Sequence, residues 1–298
     1  TSFDESITPS VLKMDIGKCK YGFLLNEKGG VMDDLIVYRL EKNKWMMVAN
    51  ASNEEKDFNT IKERLDNNAD IENISYSIVK IDIQGPESRS ILMKFAGEKV
   101  KELKYYTFSK FTIFGEETII SRTGYTGELG FEIYISKENG KKLWNSLLED
   151  KLIRPAGLGA RDILRTEAGY PLYGDELNED ITPIEAGLDR FIDYEKNFFG
   201  KDALLKIKEK GIKRVLKGFV AEGKRTPRHK DRIFINNEEA GFITSGVYSP
   251  HLNKGIALGY INLDLIKNSD NIEVRNEKKS IKVKIESLPF VKNTSLKN

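Results

Sequence analysis

Apolar and polar positions alternate along the first quarter of the chain in short runs that predict strands. Residues 20–40 read KYGFLLNEKGGVMDDLIVYRL, two β-rich runs around the polar turn Asn26-Glu27-Lys28-Gly29-Gly30, which predicts a hairpin. A third strand is expected over residues 45–50. Ser52 with Glu55 three residues on has the form of a capping box ahead of an apolar spacing at Phe58, Ile61 and Leu65, so a helix should follow. The strand–helix pattern then starts again, with a strand over 74–84 and a short helix opened by Gly85-Pro86 and running through Ile91, Leu92 and Phe95.

Strands are next expected near 111–114, 117–122 and 130–135, joined by Gly-containing turns, and a helix over 138–149 carrying Leu143, Trp144, Leu147 and Leu148. Further helices are expected over 158–168 and over 201–210, the second stopped by Gly211. Between them Thr182-Pro183-Ile184-Glu185 is another capping-box signature, with Pro at the first helical position. Beyond Gly211 the helical period disappears. Short β-like runs remain, separated by Asn236-Asn237, Ser249-Pro250, Asn268-Ser269-Asp270-Asn271 and Asn276-Glu277, which predicts a small separate β-barrel. The division expected is therefore an α+β region over 1–210, made of two interleaved domains, and a barrel domain over 211–298.

Composition narrows the function more than the fold. The 298 residues carry 48 Lys and Arg against 46 Asp and Glu, a formal charge of +2, so nothing in the balance calls for a nucleic acid or a membrane surface. No apolar run approaches the length of a bilayer span. Cys19 is the only cysteine, which excludes an intrachain disulfide and any cysteine-based zinc cluster. His229 and His251 are the only histidines and both lie in polar, turn-like sequence, so neither a Ser/His/Asp triad nor a histidine metal site is expected. Thr1 is not an initiator, and residues 1–12 lack the basic and apolar regions of a signal peptide.

Asp33 and Asp34 form a pair, but consecutive strand residues point to opposite faces and cannot share a proton as an aspartyl dyad does. Asp34 falls on the face of Met32, Ile36 and Tyr38, where an ionised carboxylate is costly unless something binds it, and is the better functional candidate. The plainer alternative is that either residue only accepts backbone hydrogen bonds at the end of the hairpin. SRTGYTG, residues 121–127, has glycines that let backbone approach a ligand and Tyr125 to stack on it, with Glu132 on the following strand; as a rule such glycines only form turns. GLGARD, residues 157–162, opens a helix without the spacing of a phosphate loop, and Arg161, Asp162 and Arg165 on it have the spacing of a salt-bridge network.

GGVMDDLIVY, SRTGYTGELGFEIYI, GLGARDILRTEAG, TPIEAGL, FFGKDAL and ITSGVYSP followed by ALGY occur in one order, and with them the chain resembles the glycine cleavage system T-proteins over about residues 17–260. The resemblance implies an α+β cloverleaf of two ferredoxin-like α/β domains and a C-terminal β-barrel around a central channel. It also implies an aminomethyltransferase that takes the one-carbon unit from the aminomethyl-lipoyl arm of the H-protein, releases ammonia and gives methylenetetrahydrofolate, with tetrahydrofolate as co-substrate and no metal. Carried onto this sequence, the family's catalytic aspartate is Asp34. Asn50 and Glu132 fall where the family hydrogen-bonds the pterin, Tyr105 and Tyr125 where it packs the ring, and Arg161 near the folate. Tyr21 and Tyr170 match tyrosines at the glutamyl end, and Lys292 stands where an arginine follows an aromatic.

Three departures accompany the match. The family begins several dozen residues earlier, so the chain is expected to lack the start of the first domain. Arg190 stands in place of a tryptophan, leaving one aromatic wall of the channel missing or moved, and Lys292 offers a point charge where arginine would grip a carboxylate with two bonds. The alternatives of the same fold are a folate-dependent demethylase and a non-catalytic folate-binding accessory protein. The accessory relatives carry a cysteine where this chain reads KNFFGKD, residues 196–202. The exposed-looking basic run Lys224, Arg225, Arg228 and Lys230 offers docking charges for an acidic partner or only a solvated turn. Abundant Lys, Ile and Asn points to an AT-rich genome and a bacterial cytoplasm, or to the mitochondrial matrix if the source is eukaryotic.

Overall fold

In the computed structural model, which describes residues 1–266, 271–277 and 279–297, two antiparallel sheets and a closed barrel meet around one large cavity. A short helix, α1 (Ser2–Ser6), precedes the first sheet of β1 (Cys19–Leu25), β2 (Val31–Glu41) and β3 (Lys44–Val48), in that order. The hairpin forms as its turn residues predict. Asn26 Oδ1 accepts from the amides of Lys28 and Gly30, at 2.9 Å each, and closes the loop on itself. Gly30 is required there, because a Cβ would lie 1.8 Å from the Glu179 carbonyl oxygen.

The helix after β3 departs from its expected start. Residues Ala51–Asn53 form one 3₁₀ turn and α2 runs Glu54–Arg64, with no side-chain cap at Asn53 and therefore no Ser52/Glu55 capping box. The Asn53 amide is engaged elsewhere, 2.8 Å from Asp33 Oδ1. The buried stripe is also turned by one residue from the expected one. Asp57 and Ile61 are the fully buried members of α2, and Phe58 and Leu65 are only half-buried. Ile61 joins Leu24, Leu35 and Val37 in a core beneath the sheet, and Met32 packs there as well, on the opposite side from the Ile36 and Tyr38 it was expected to accompany.

The second sheet has the order β4 (Ile78–Gln84), β7 (Gly130–Ser136), β6 (Glu116–Ser121), β5 (Phe108–Ile113), with α3 (Ser88–Ala96) and α4 (Lys137–Leu148) attached. Residues 74–77, expected in the strand, form a turn before β4. Apolar residues of one face, among them Ile81, Ile83, Ile120, Phe131 and Ile133, pack with Leu92 of α3 and Leu143 of α4. Strand β7 is buried on both faces, since Tyr134 on the other side packs with Tyr38 and Phe108.

Helix α5 (Leu158–Glu167) leads into a long stretch of turns, where Thr182 and Glu185 make the reciprocal bonds of a capping box, yet only a single turn follows, with no helix. Helix α6 (Lys201–Lys210) ends at Gly211 as expected. The barrel closes as β10 (Glu238–Ser249), β11 (Lys254–Asn262), β8 (Arg214–Ala221), β13 (Lys279–Glu286), β12 (Ile272–Asn276) and β9 (Arg232–Ile235), with one turn of helix, α7 (Leu263–Ile266), that no periodicity announced. Asn268, Ser269 and Asp270 of the expected turn lie outside the described residues. Phe219, Ile233, Ile243 and Val274 help fill the barrel, whereas Leu216, Val247, Leu258 and Tyr260 pack outward against Phe23, Leu25 and Leu204. The barrel is therefore not separate in packing. Arg165 of α5, 1% exposed, also ties it in, bonding Glu176, Asp162 and Ser245 of β10 at 2.7 Å each.

Candidate functional site

The cavity at this junction has a volume of about 1640 Å³, well above the roughly 300–1,000 Å³ of ordinary small-molecule pockets, which leaves room for more than one reactant. Asp34 enters it from β2. The pairing of Phe23 with Asp34 and of Tyr21 with Ile36 places the Tyr21 ring beside the carboxylate, and the Tyr21 hydroxyl donates to Asp34 Oδ2 at 2.9 Å. Asn50, just beyond β3, donates from Nδ2 to Asp34 Oδ1 at 2.9 Å and to Asp33 Oδ1 at 2.8 Å. The two aspartates do face opposite ways, as strand geometry demands. Asp34 lines the cavity; Asp33, 0% exposed, is turned inward and also accepts the Asn50 backbone amide at 3.0 Å. Burial, and then the Asp33 charge, push the Asp34 carboxyl up to about 6, against the hydrogen bonds of Tyr21 and Asn50 that favour its charged form.

A second polar group projects from the four-stranded sheet. Glu132 of β7 is buried, and its Oε1 lies 2.6 Å from Lys80 Nζ, while Thr123, Tyr38 and Tyr134 hydroxyls reach Oε2. Burial works against the Glu132 charge, but Lys80 and these hydroxyls outweigh it and hold the carboxyl below its usual range. Lys80 is raised in turn, because Glu132 and Asp82 more than offset its own desolvation. Asp82, opposite Glu132 in the sheet, pairs with Arg161 at 3.3 Å, and the Arg161 guanidinium sits 4.7 Å from the centre of the Tyr125 ring. Arg161 and Arg165, four apart on one helix, thus part company: Arg161 turns to the cavity and Arg165 to the buried network.

The tyrosines form the walls between these groups. Tyr125 stacks on Tyr170 at 5.8 Å, and Tyr105 meets Tyr106 edge-on at 4.8 Å. Tyr106 holds φ at 58°, a left-handed conformation that costs a non-glycine residue about 1 kcal/mol or more, at a position where the backbone turns into the cavity. Where a tryptophan was missed at Arg190, the neighbouring Phe191 packs edge-on against Tyr21 at 4.9 Å, and Arg190 lies over Phe191. Lys292 also lines the cavity and donates to Ser287 Oγ at 3.2 Å.

All nine residues singled out in the sequence, Asp34, Asn50, Glu132, Arg161, Lys292 and the tyrosines at 21, 105, 125 and 170, therefore line one cavity. Tyr21, matched in the sequence to a tyrosine at the glutamyl end, is hydrogen-bonded to the Asp34 carboxylate. Lys80, Tyr106 and the buried Cys19, whose thiol is pushed up first by burial, line it too and were not singled out. The signal for Lys80 was present. In IVKIDIQ, residues 78–84, Lys80 and Asp82 alternate with Val79, Ile81 and Ile83, a charged face on an otherwise apolar strand. The histidines are bonded at the surface, His229 to the Thr244 carbonyl and His251 to Glu167.

The chain matches the family described as GCVT N-terminal domain over residues 2–196, and that described as Glycine cleavage T-protein C-terminal barrel domain over residues 214–292. It is similar to a protein named aminomethyltransferase from Caldanaerobacter subterraneus subsp. tengcongensis, 45% identical over 295 residues, covering 96% of this chain and 78% of that one. A protein of the same name from Aquifex aeolicus is 44% identical over 285 residues, covering 96% and 77%. Among solved structures, the glycine cleavage system aminomethyltransferase T from Bartonella henselae superposes with a TM-score of 0.89 at 31% identity, covering 97% of this chain and 80% of that one.

Proposed function

The chain belongs to the glycine cleavage T-protein family and is an aminomethyltransferase, and from that premise we propose that Asp34 is its catalytic residue and that the cavity binds tetrahydrofolate with the reacting end of its pterin at Asp34. The observation that carries this is a carboxylate that opens on the cavity while Tyr21 and Asn50 hold both its oxygens. With a pKa near 6 it is mostly charged at neutral pH yet basic enough to accept a proton, the compromise a general base needs. As one folate nitrogen attacks the transferred carbon, the bond from that carbon to its amine breaks and ammonia leaves, and as the second folate nitrogen closes on it the bond to the lipoyl sulfur breaks. Asp34 takes a proton from an attacking nitrogen and returns it to a leaving group, and its charge favours the positive charge that develops on the carbon. Both oxygens are already hydrogen-bonded, so little reorganisation accompanies the step.

The other residues bind and orient. Asn50 and Glu132 offer an amide and a carboxylate to the mixed donor and acceptor edge of a pterin, with Lys80 keeping Glu132 ionised. Tyr105, Tyr106, Tyr125 and Tyr170 supply flat apolar walls, Arg161 closes over Tyr125, and Lys292 attracts the glutamate carboxylates. The donor of the aminomethyl group is the lipoyl arm of an H-protein, and a cavity of this size admits both arm and folate. Lys224, Arg225, Arg228 and Lys230, all exposed, serve as its docking charges.

Turnover assays test this reading. Aminomethyl-loaded H-protein with tetrahydrofolate should yield ammonia and methylenetetrahydrofolate at a rate that falls with added salt. Dimethylglycine and sarcosine should give no product. Turnover of a free methyl donor without any response to H-protein would replace the proposed donor with that of a demethylase.

A further inference from the structure

Behind Asp34 lies a carboxyl group that the chemistry above does not use. Asp57, on the buried stripe of α2, is 1% exposed, and neither of its oxygens receives a hydrogen bond from any donor among the described residues. Its carboxyl instead meets that of Asp33. Two buried carboxyls in contact cannot both be charged, so one of them holds a proton. The hydrogen bonds decide which. Asp33 accepts three amide N–H bonds, from the Asn50 backbone, Asn50 Nδ2 and Asn53 Nδ2, each of which favours its charged form. Asp57 accepts none.

Lys56 favours the Asp57 charge through space, less strongly than burial and Asp33 oppose it, and among the described residues no cation bonds to the carboxyl. Lys56, beside it on α2, is turned to the Met32 carbonyl and the Tyr173 hydroxyl. Arg64, further along the helix, reaches the Ser6 and Leu25 carbonyls, and Asp4 of the neighbouring α1 is engaged with the Val11 amide and Lys196. From β2 only Asp33 and, more distantly, Asp34 act on Asp57, and both disfavour its charge. Burial first, and then Asp33, accordingly push the Asp57 carboxyl well above the usual carboxylate range.

We propose that Asp57 is a positioning residue for the Asp34 site: it remains protonated at neutral pH and donates to Asp33, so that the pair carries one charge and Asp33 stays the acceptor that aims the Asn50 amide at Asp34. The proposal rests on the assignment of Asp34 as the catalytic carboxylate for its consequence in turnover, but not for the proton itself. A second charge at Asp57 would add to the repulsion that already raises Asp34. A missing donor would leave the Asp33 charge undiluted next to it.

Infrared difference spectroscopy of wild type against Asp57→Asn at neutral pH reads the proton directly. A protonated-carboxyl C=O stretch should be present in wild type and absent from the variant; identical spectra in that region overturn the proposal whatever Asp34 does. The acid limb of kcat/KM reads the consequence. Asp57→Ala should move it upward by about half a pH unit or more, and Asp57→Asn, which restores a neutral donor, should return it to near the wild-type position. A downward shift in Asp57→Asn, as expected on removing a charge, or an unmoved limb in Asp57→Ala, overturns the proposal. If Asp57→Ala does not fold, the spectrum and the Asp57→Asn profile decide. If Asp34→Asn proves fully active while the stretch is present, the Asp34 assignment fails and the Asp57 proton stands.

Discussion

Replacing Asp34 by Asn should make the protein more stable and nearly inactive, and both effects follow from one number. The carboxyl rises from 3.8 to about 6 on folding, about two units, and each unit is about 1.36 kcal/mol, so holding Asp34 charged in the fold costs at most about 3 kcal/mol. Its folded pKa is raised, so the contribution to stability is complete below about 3.8 and lost as pH rises through about 6. At neutral pH the wild type bears the whole cost. Asn avoids it, with Oδ1 still accepting from Asn50 and the amide turned to Tyr21, whose hydroxyl must then find another acceptor. A net gain of about 1–2 kcal/mol is expected near pH 7.5, vanishing near pH 4. Turnover should fall at least about a hundredfold with folate affinity largely kept, and Asp33→Asn should spare far more activity. Urea unfolding at the two pH values, calorimetry with tetrahydrofolate and single-turnover rates measure these terms. A variant less stable than wild type at pH 7.5, or a gain that persists at pH 4, would refute the electrostatic account of Asp34; equal losses in the two Asn variants would refute its catalytic assignment.

Lys80→Met should destabilise by about 1–3 kcal/mol at neutral pH, because Glu132 is left charged, buried and unpaired. Glu132 is held below its usual range, so its contribution is present above the unfolded value and lost as pH falls, and urea midpoints of variant and wild type should converge in acid. Arg165→Met should cost about 3–5 kcal/mol by stranding the fully buried Glu176, and Arg165→Met with Glu176→Gln should recover most of it; no recovery in unfolding curves would mean that the charge is not the cause. Gly30→Ala should be disruptive, at about 2 kcal/mol or more, since the clash is with a backbone carbonyl, whereas Gly159→Ala in the first turn of α5 meets nothing within 4 Å and should gain about 0.5–1 kcal/mol. Thermal midpoints of the pair check the contrast.

What the sequence determined by itself lies close along the chain. The hairpin of β1 and β2, α6 with its Gly211 stop and the strand-rich character after 211 depend on turn residues, caps and periodicity within a few positions, and they form where expected. Alternation alone sent Asp33 and Asp34 to opposite faces, and the ordered motifs identified the residues that line the cavity. The misses share one cause, because each involves a partner far away in sequence. Ser52 and Glu55 do not cap α2, and the neighbouring Asn53 amide is bound to Asp33, 20 residues away. Thr182 and Glu185 make their box, but the chain there is held to the hairpin turn, with the Val31 amide donating to the Ile181 carbonyl, and no helix grows. Lys80 and Asp57 were not singled out at all, since Lys80 acquires its role only when β7 brings Glu132 against it, and Asp57 only when α2 settles on Asp33. Local rules set which conformations a segment can take at little cost. Burial, and with it the charge a carboxyl can keep, depends on what packs across from it, and only the assembled sheets and barrel decide that.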